Sequence, residues 1–128
     1  MCMFKASLMT VIETPSFIGD AKKLLDDDER GALINFLASN PKAGVLIKGT
    51  GGIRKIRWAG DNTGKSGAYR VIYFFHTMEF PIFLLNVFAK NEKANISQAE
   101  RNELKKLTDL LVKQYKTVRK DYGRKTNN

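Results

Sequence analysis

The stretch Ile53-Arg54-Lys55-Ile56-Arg57-Trp58 decides how this chain is read. It follows Gly49-Thr50-Gly51-Gly52 and is answered, after a polar loop, by Gly67-Ala68-Tyr69-Arg70-Val71-Ile72-Tyr73. Cationic and apolar residues alternate with the period of a β-strand, so Lys55 and Arg57 share one face while Ile56 and Trp58 share the other. From Lys42 to Arg70 the chain holds seven basic residues and one acidic residue, Asp61. A sheet that presents cations in a row over an apolar backing suits a polyanion. Within the set Arg54, Lys55, Arg57 and Arg70, arginine outnumbers lysine, and its planar fork matches phosphate. Arg70 lies in an apolar, aromatic strand, where an unpaired cation is costly; it needs a carboxylate or a functional anion. The plain alternative is a solvated strand face whose charges discourage aggregation.

Working outward, the pattern predicts a short first strand over Ser7 to Ile12 and a helix opened by Thr14-Pro15, since proline suits the first helical turn. Phe17, Ile18, Ala21, Leu24 and Leu25 recur on one face of that helix. Asp26 with Glu29 forms a capping box for a second helix, its acidic first turn complementing the helix dipole. Leu33, Phe36 and Leu37 give this helix an apolar face, and Asn40-Pro41 ends it. Strands are expected over Ile53 to Trp58, Ala68 to Phe75 and Ile82 to Ala89, the last two joined by a hairpin through Thr77 to Pro81. Ser97 with Glu100 caps a final helix whose buried side carries Leu104, Leu107, Leu111 and Val118. The order β-α-α-β-β-β-α predicts an α+β domain: two N-terminal helices and a C-terminal helix packed on a small, curved, antiparallel-dominated sheet. The domain is expected over residues 7–118, between a flexible segment 1–6 and a basic, fraying tail 119–128.

The chain has 128 residues, 22 Lys+Arg against 13 Asp+Glu, and a formal charge of +9. That balance favours nucleic acid, an anionic membrane surface or an acidic partner. The single Cys2 excludes an internal disulfide and a thiolate cluster, and the lone His76 does not make a zinc site. No cofactor or metal is expected. No apolar run reaches membrane-spanning length, and the N-terminus lacks the pattern of a signal peptide, so a cytoplasmic protein without membrane contact is expected.

Several further motifs have competing readings. Gly60-Asp61-Asn62-Thr63-Gly64-Lys65-Ser66 resembles a phosphate-binding P-loop but is one residue short and leads into a strand, so it reads as a basic hairpin loop. Lys90-Asn91-Glu92-Lys93 follows the last strand, where a rigid scaffold often carries catalytic groups; an ordinary polar connection is the alternative. His76 reads as an edge histidine, and Trp58, alternating with Ile56, as core packing. Lys113, Lys116, Arg119, Lys120, Arg124 and Lys125 form a solvated helix face or an RNA-phosphate contact.

Three of these segments together resemble one family. Lys48-Gly49-Thr50-Gly51-Gly52-Ile53-Arg54-Lys55-Ile56-Arg57 looks like the start of the sheet in the HigB-like branch of the RelE/ParE toxin superfamily. Gly67 to Phe74 resembles that family's strand with a central arginine. Phe88-Ala89-Lys90-Asn91-Glu92-Lys93 resembles its last-strand signature, with Ala89 replacing the usual glycine. The likeness spans about residues 7 to 115 and follows the same order of elements.

The resemblance implies a RelE-like fold and the toxin of a type II toxin–antitoxin pair. Such a toxin inhibits translation as a metal-independent endoribonuclease (an mRNA interferase), cutting mRNA on the ribosome by attack of a ribose 2′-OH on its own 3′ phosphate. A ParE-like inhibitor of DNA gyrase and a non-catalytic RNA-binding protein are the alternatives. Carried over by position, the resemblance makes Lys55, Arg57, Arg70 and Lys90 the catalytic set, with Lys55 as base or orienting group and Arg57 as phosphate clamp. Arg70 then stabilises the transition state. Lys48, Arg54, Lys65, Asn91 and Lys93 become the RNA- and ribosome-binding set. Asn91 stands where some relatives carry arginine, and Ile96-Ser97 stand where several place a tyrosine or histidine. The proton donor is open among Lys90, Lys93, Tyr115 and Tyr122. The implied partners are the ribosome with its mRNA and a cognate antitoxin, a helix-turn-helix protein from the neighbouring gene, with operator DNA reached only through that antitoxin.

Overall fold

A computed structural model describes residues 8–59, 69–89 and 96–126, with side chains as far as Lys116. The expected flexible segment 1–6 and the near-P-loop Gly60 to Ser66 lie outside the described residues. The elements are β1 (Val11–Glu13), α1 (Pro15–Leu24), α2 (Asp27–Ser39), β2 (Val45–Leu46), β3 (Ile53–Trp58), β4 (Tyr69–Phe74), β5 (Ile82–Ala89) and α3 (Gln98–Thr126). They form an α+β domain, three helices on one five-stranded sheet of order β1-β5-β4-β3-β2. Three of the four strand pairings are antiparallel; β1 runs parallel to β5.

Two details differ from the sequence expectation. β1 is later than Ser7 to Ile12: among the described residues Val11–Glu13 pair with Ile82 to Leu84, and before them Thr10 adds only a carbonyl that accepts from Ile82 N while Met9 N turns to Ala38 O. β2 was not anticipated: two exposed residues, Val45 and Leu46, pair with Lys55 and Arg54 and carry too little pattern to announce a strand. At the C-terminus α3 continues as helix through Thr126.

Local chemistry sets the helix boundaries. Thr14 Oγ1 accepts from Phe17 N while donating to the carbonyl of Leu84, which ties the start of α1 to β5. Asp26 and Glu29 form both arms of their capping box, at 2.7 and 3.0 Å, and this is why Glu29 is buried without strain. Ser97 and Glu100 do the same for α3.

The sheet has two packed faces. On one, Phe17, Ala21, Leu33 and Leu37 of α1 and α2 close over Val71, Tyr73, Leu84 and Val87. On the other, Leu104, Leu107 and Leu111 of α3 pack on Ile53, Ile72, Phe74 and Phe83. Leu85 is an extra residue in β5, since Ile72 pairs with Asn86 and Tyr73 with Leu84. The β2–β3 turn is built on Thr50, whose hydroxyl donates to Ile47 O and accepts from Ile53 N. Gly52 has φ +130° there, and a Cβ on it would meet Phe74 Cε1 at 2.8 Å. The glycine is therefore demanded by backbone and by space.

Candidate active site

On the α3 side of the sheet, paired residues form rows across three strands. The first row is Ile53, Phe74 and Phe83, buried under α3. The second is Lys55, Ile72 and Asn86. The third is Arg57, Arg70 and Phe88. Thus the face changes along β3 from apolar to cationic, and Arg57 and Arg70 stand directly opposite each other. Like charges so placed destabilise a sheet by roughly 0.2–1 kcal/mol. Lys55 lies two residues from Arg57 on the same face and diagonal to Arg70, about 7 Å away on a regular sheet.

None of these three cations forms an ion pair or side-chain hydrogen bond with a described residue. Arg57 is exposed, while Lys55 and Arg70 are half-buried. The Nη1 of Arg70 is enclosed and has no hydrogen-bond partner among the described residues. A buried guanidinium nitrogen in that condition costs free energy unless an anion completes it. The arrangement is therefore chemically that of an oxyanion clamp: two planar forks and an ammonium, converging from adjacent strands.

Arg54 belongs elsewhere. It alternates with Lys55, so it points to the α1–α2 face, where its Nη1 donates to Gly44 O at 2.7 Å and more weakly to Lys42 O. Its guanidinium also lies 6.0 Å from the Phe75 ring centre. Arg54 pins the segment after α2 and does not face the clamp. Lys48 is exposed in the β2–β3 turn, beyond the Ile53 end of the strand; Ile53 alone is about 13 Å from Arg57. Lys65, Lys90, Asn91 and Lys93 lie outside the described residues. Lys90 is joined directly to β5, one residue after Ala89, at the end of the sheet where Phe88 pairs with Arg70.

The described aromatic side chains have packing or hydrogen-bond partners within the fold. Trp58 packs on Phe36 at 5.6 Å. Tyr73 is fully buried; its hydroxyl donates to Pro41 O and accepts from Gly44 N, both at 2.8 Å. Burial pushes its pKa up, against smaller lowering effects from the Gly44 N–H and the Arg54 charge. His76 is exposed and set against Phe74 and Phe80. Tyr115 meets the Phe80 ring at 4.6 Å, beside the β4–β5 hairpin and at the far end of the sheet from the clamp. Tyr122 has no described side chain.

A sequence model described as "RelE toxin of RelE / RelB toxin-antitoxin system" matches residues 41–121. The chain belongs to the RelE toxin family. The match begins after α2 and takes in the clamp strands and most of α3. Among solved structures, an arginine-to-alanine double mutant of the E. coli toxin RelE, in the free state, is similar to this RelE-family chain at 16% identity. The alignment covers 67% of this chain and 87% of the other, with a TM-score of 0.50. At that identity the likeness speaks for the fold: helices against a small mixed sheet.

Sequence reasoning left two features of this RelE-family site unremarked. A groove of about 690 Å³ runs beside the clamp, between β5, α1 and the first turns of α3. Its floor includes Ile72 and Phe88, the cross-strand partners of Lys55 and Arg70. Asp20 walls it, accepting from Val87 N and Asn86 Nδ2 and so capping β5 where β1 no longer pairs. The second is Arg101 of α3, whose enclosed Nε also has no hydrogen-bond partner among the described residues. Its only sequence signal is negative: Ser97, Gln98, Leu104 and Lys105, at helical neighbour spacing, offer it no carboxylate. Among the described residues no three His, Cys, Asp or Glu side chains group as metal ligands, and no helix is long and apolar enough to cross a membrane.

Proposed function

We propose that this RelE-family toxin is a ribosome-dependent mRNA endonuclease that inhibits translation, and that it is of the HigB-like branch. The observation that carries the reading is the Arg57–Arg70 pair, opposed across β3 and β4 beside Lys55, without a described counter-charge. A ParE-like gyrase inhibitor needs a binding surface, not converging cations on a rigid sheet.

The chemistry asks for three things: an oriented 2′-OH, neutralisation of charge growing on the phosphate, and a proton for the leaving 5′-oxygen. Attack of the 2′-oxygen on its own 3′ phosphorus forms the cyclic phosphate and breaks the bond to the 5′-oxygen. Arg57 and Arg70 hold the non-bridging oxygens, each fork donating N–H groups to them. Lys55 orients the 2′-OH, and only in its neutral amine form takes up the proton as the 2′-oxygen attacks. Tyr115 sits at the opposite end of the sheet, so Lys90 and Lys93, which follow β5 in the chain, are the proton-donor candidates we favour. No metal ion enters this scheme. The setting is the cytoplasm, and a cognate antitoxin from the neighbouring gene, a helix-turn-helix protein that alone contacts operator DNA, neutralises the toxin.

The test is a reconstituted translation reaction with purified protein. Cleavage of mRNA that requires ribosomes and leaves a cyclic phosphate is expected. Intact mRNA together with blocked gyrase supercoiling would overturn the reading.

A further inference from the structure

Helix α3 sorts its charges by flank. Glu100 and Glu103 line the groove toward β5 and α1. Arg101 and Lys105 leave the helix on the other flank, at one stripe with Thr108 and Val112. That stripe faces β3 and its turn. Thr108 Oγ1 donates to Thr50 O at 2.9 Å, and a Cβ on Gly51 would stand 2.8 Å from Thr108 Oγ1 and 3.4 Å from Lys105 Cδ.

The helix runs antiparallel to β3. Ile96, just before it, lines the groove with Phe88 in the clamp row, while Tyr115 lies on Phe80 at the hairpin end. From Thr108 back to Arg101 the helix rises about 10.5 Å. From Ile53, which binds the Thr50 hydroxyl, β3 climbs about 6.6 Å to Lys55 and about 13 Å to Arg57. Arg101 therefore draws level with the Lys55–Arg57 step, on the face to which both point. The guanidiniums of Arg101 and Arg70 each hold an enclosed nitrogen without a described hydrogen-bond partner; Arg54 Nε shares that state, but its Nη1 is anchored to backbone carbonyls, whereas Arg101 and Arg70 make no side-chain hydrogen bond or ion pair with a described residue. One stands on the helical wall and the other on the sheet.

We propose that Arg101 is an RNA-phosphate-binding residue, gripping the substrate backbone from α3 while Arg57 and Arg70 hold it from the sheet. The proposal rests on the RNA-cutting reading above and extends its site from one wall to two. Cations on both walls repel one another until a phosphodiester lies between them, and its oxygens accept from the guanidinium nitrogens of each that are not enclosed. The strand of RNA then runs in the cleft between α3 and the β3–β4 face. The acidic flank of the helix keeps that backbone off the groove beside β5.

The experiment uses the full chain and a short RNA with 2′-O-methyl riboses, which 2′-OH attack does not cut. Arg101→Gln is expected to weaken binding about 10-fold, as for loss of a charge-assisted hydrogen bond. The slope of log affinity against log salt should fall by about 0.7, one phosphate contact on a single strand. Arg101→Lys should restore the slope. The melting temperature of Arg101→Gln should equal or exceed that of the parent, since an unpaired buried nitrogen is removed. An unchanged salt slope overturns the proposal, and so does a lower melting temperature with the slope retained. Should the glutamine variant fail to fold, Arg101→Met, which keeps the apolar stem, is read by the same slope. A parent chain that binds this RNA but never cuts mRNA on ribosomes overturns the endonuclease reading alone. A parent that cuts, with Arg101→Gln its equal in slope, overturns the Arg101 assignment alone.

Discussion

The two faces of β3 and β4 are made of alternate residues of the same two strands, and they differ in whether their cations are anchored to the fold. Toward α1 and α2, Tyr73 and Arg54 are held, the phenol by Pro41 O and Gly44 N and the guanidinium Nη1 by Gly44 O, although Arg54 Nε and Trp58 Nε1 are enclosed there without a partner among the described residues. Toward α3, Lys55, Arg57 and Arg70 have no described counter-charge, and one nitrogen of Arg70 is enclosed without a partner among the described residues. Shared backbone, shared solvent and similar residue types leave the covering layer as the difference. The first face is closed by α1 and α2, and the segment after α2 brings the carbonyls of Pro41, Lys42 and Gly44 to it. The second is closed by α3 along its Ile53–Phe74–Phe83 row and as far as Ile72 of the next. A folded chain keeps unsatisfied cations together when an external anion completes them, so the contrast separates scaffold from site.

The widest separation is expected at Arg70. Arg70→Ala should reduce ribosome-dependent cleavage by about 10²–10³-fold, the scale for removing one transition-state donor. Its melting temperature should hold, because no described hydrogen bond is lost. Growth arrest on expression reports the first and thermal melting the second. Retained toxicity in the folded variant would take Arg70 out of the catalytic set.

Tyr73→Phe probes the other face. It strands a buried N–H and a carbonyl, for a stability loss of about 1–3 kcal/mol by chemical denaturation, with activity per folded molecule unchanged. The pH dependence has a definite sign. The folded pKa of Tyr73 is raised above the ordinary 10.0, mainly by burial. The neutral phenol's contribution is thus complete below pH 10.0 and is lost as pH rises through the folded pKa. The parent should lose stability in that alkaline window more steeply than Tyr73→Phe. Parallel curves would remove Tyr73 as the cause.

Arg54→Met is expected to cost about 1 kcal/mol of stability, for one partly exposed charged hydrogen bond, and to leave cleavage and its salt dependence alone. A variant that melts normally but no longer binds ribosomes would move Arg54 back to the RNA-facing set in which its place beside Lys55 suggested it.

That suggestion shows what the sequence could and could not convey. The strand period assigned Lys55 and Arg57 to one face and Ile56 and Trp58 to the other, and the two capping boxes located α2 and α3, because these are local rules. By the same period Arg54 falls with Ile56 and Trp58; its charge and its place beside Lys55 put it among the RNA contacts. The opposition of Arg57 to Arg70 depends on register across a long loop, and the approach of Arg101 depends on how α3 crosses the sheet. Neither is local, so neither was readable from spacing. β2 escaped because two residues do not make a pattern.

The smallest effect is the one that best tests whether the cation face is kept for function. Arg57 and Arg70 are direct cross-strand partners of like charge. Replacing Arg57 with a neutral β-branched residue removes that repulsion and favours the strand, so Arg57→Thr should raise unfolding stability by roughly 0.2–1 kcal/mol. The gain should shrink with added salt, because Arg57 is exposed and its charge is screened. Cleavage should fall in the same variant. Stability and activity moving in opposite directions is the signature of strain maintained for a ligand. If Arg57→Thr lost stability instead, the opposed arginines would be supported by an interaction within the fold, and the clamp would have to be rebuilt around Arg70 and Lys55 alone.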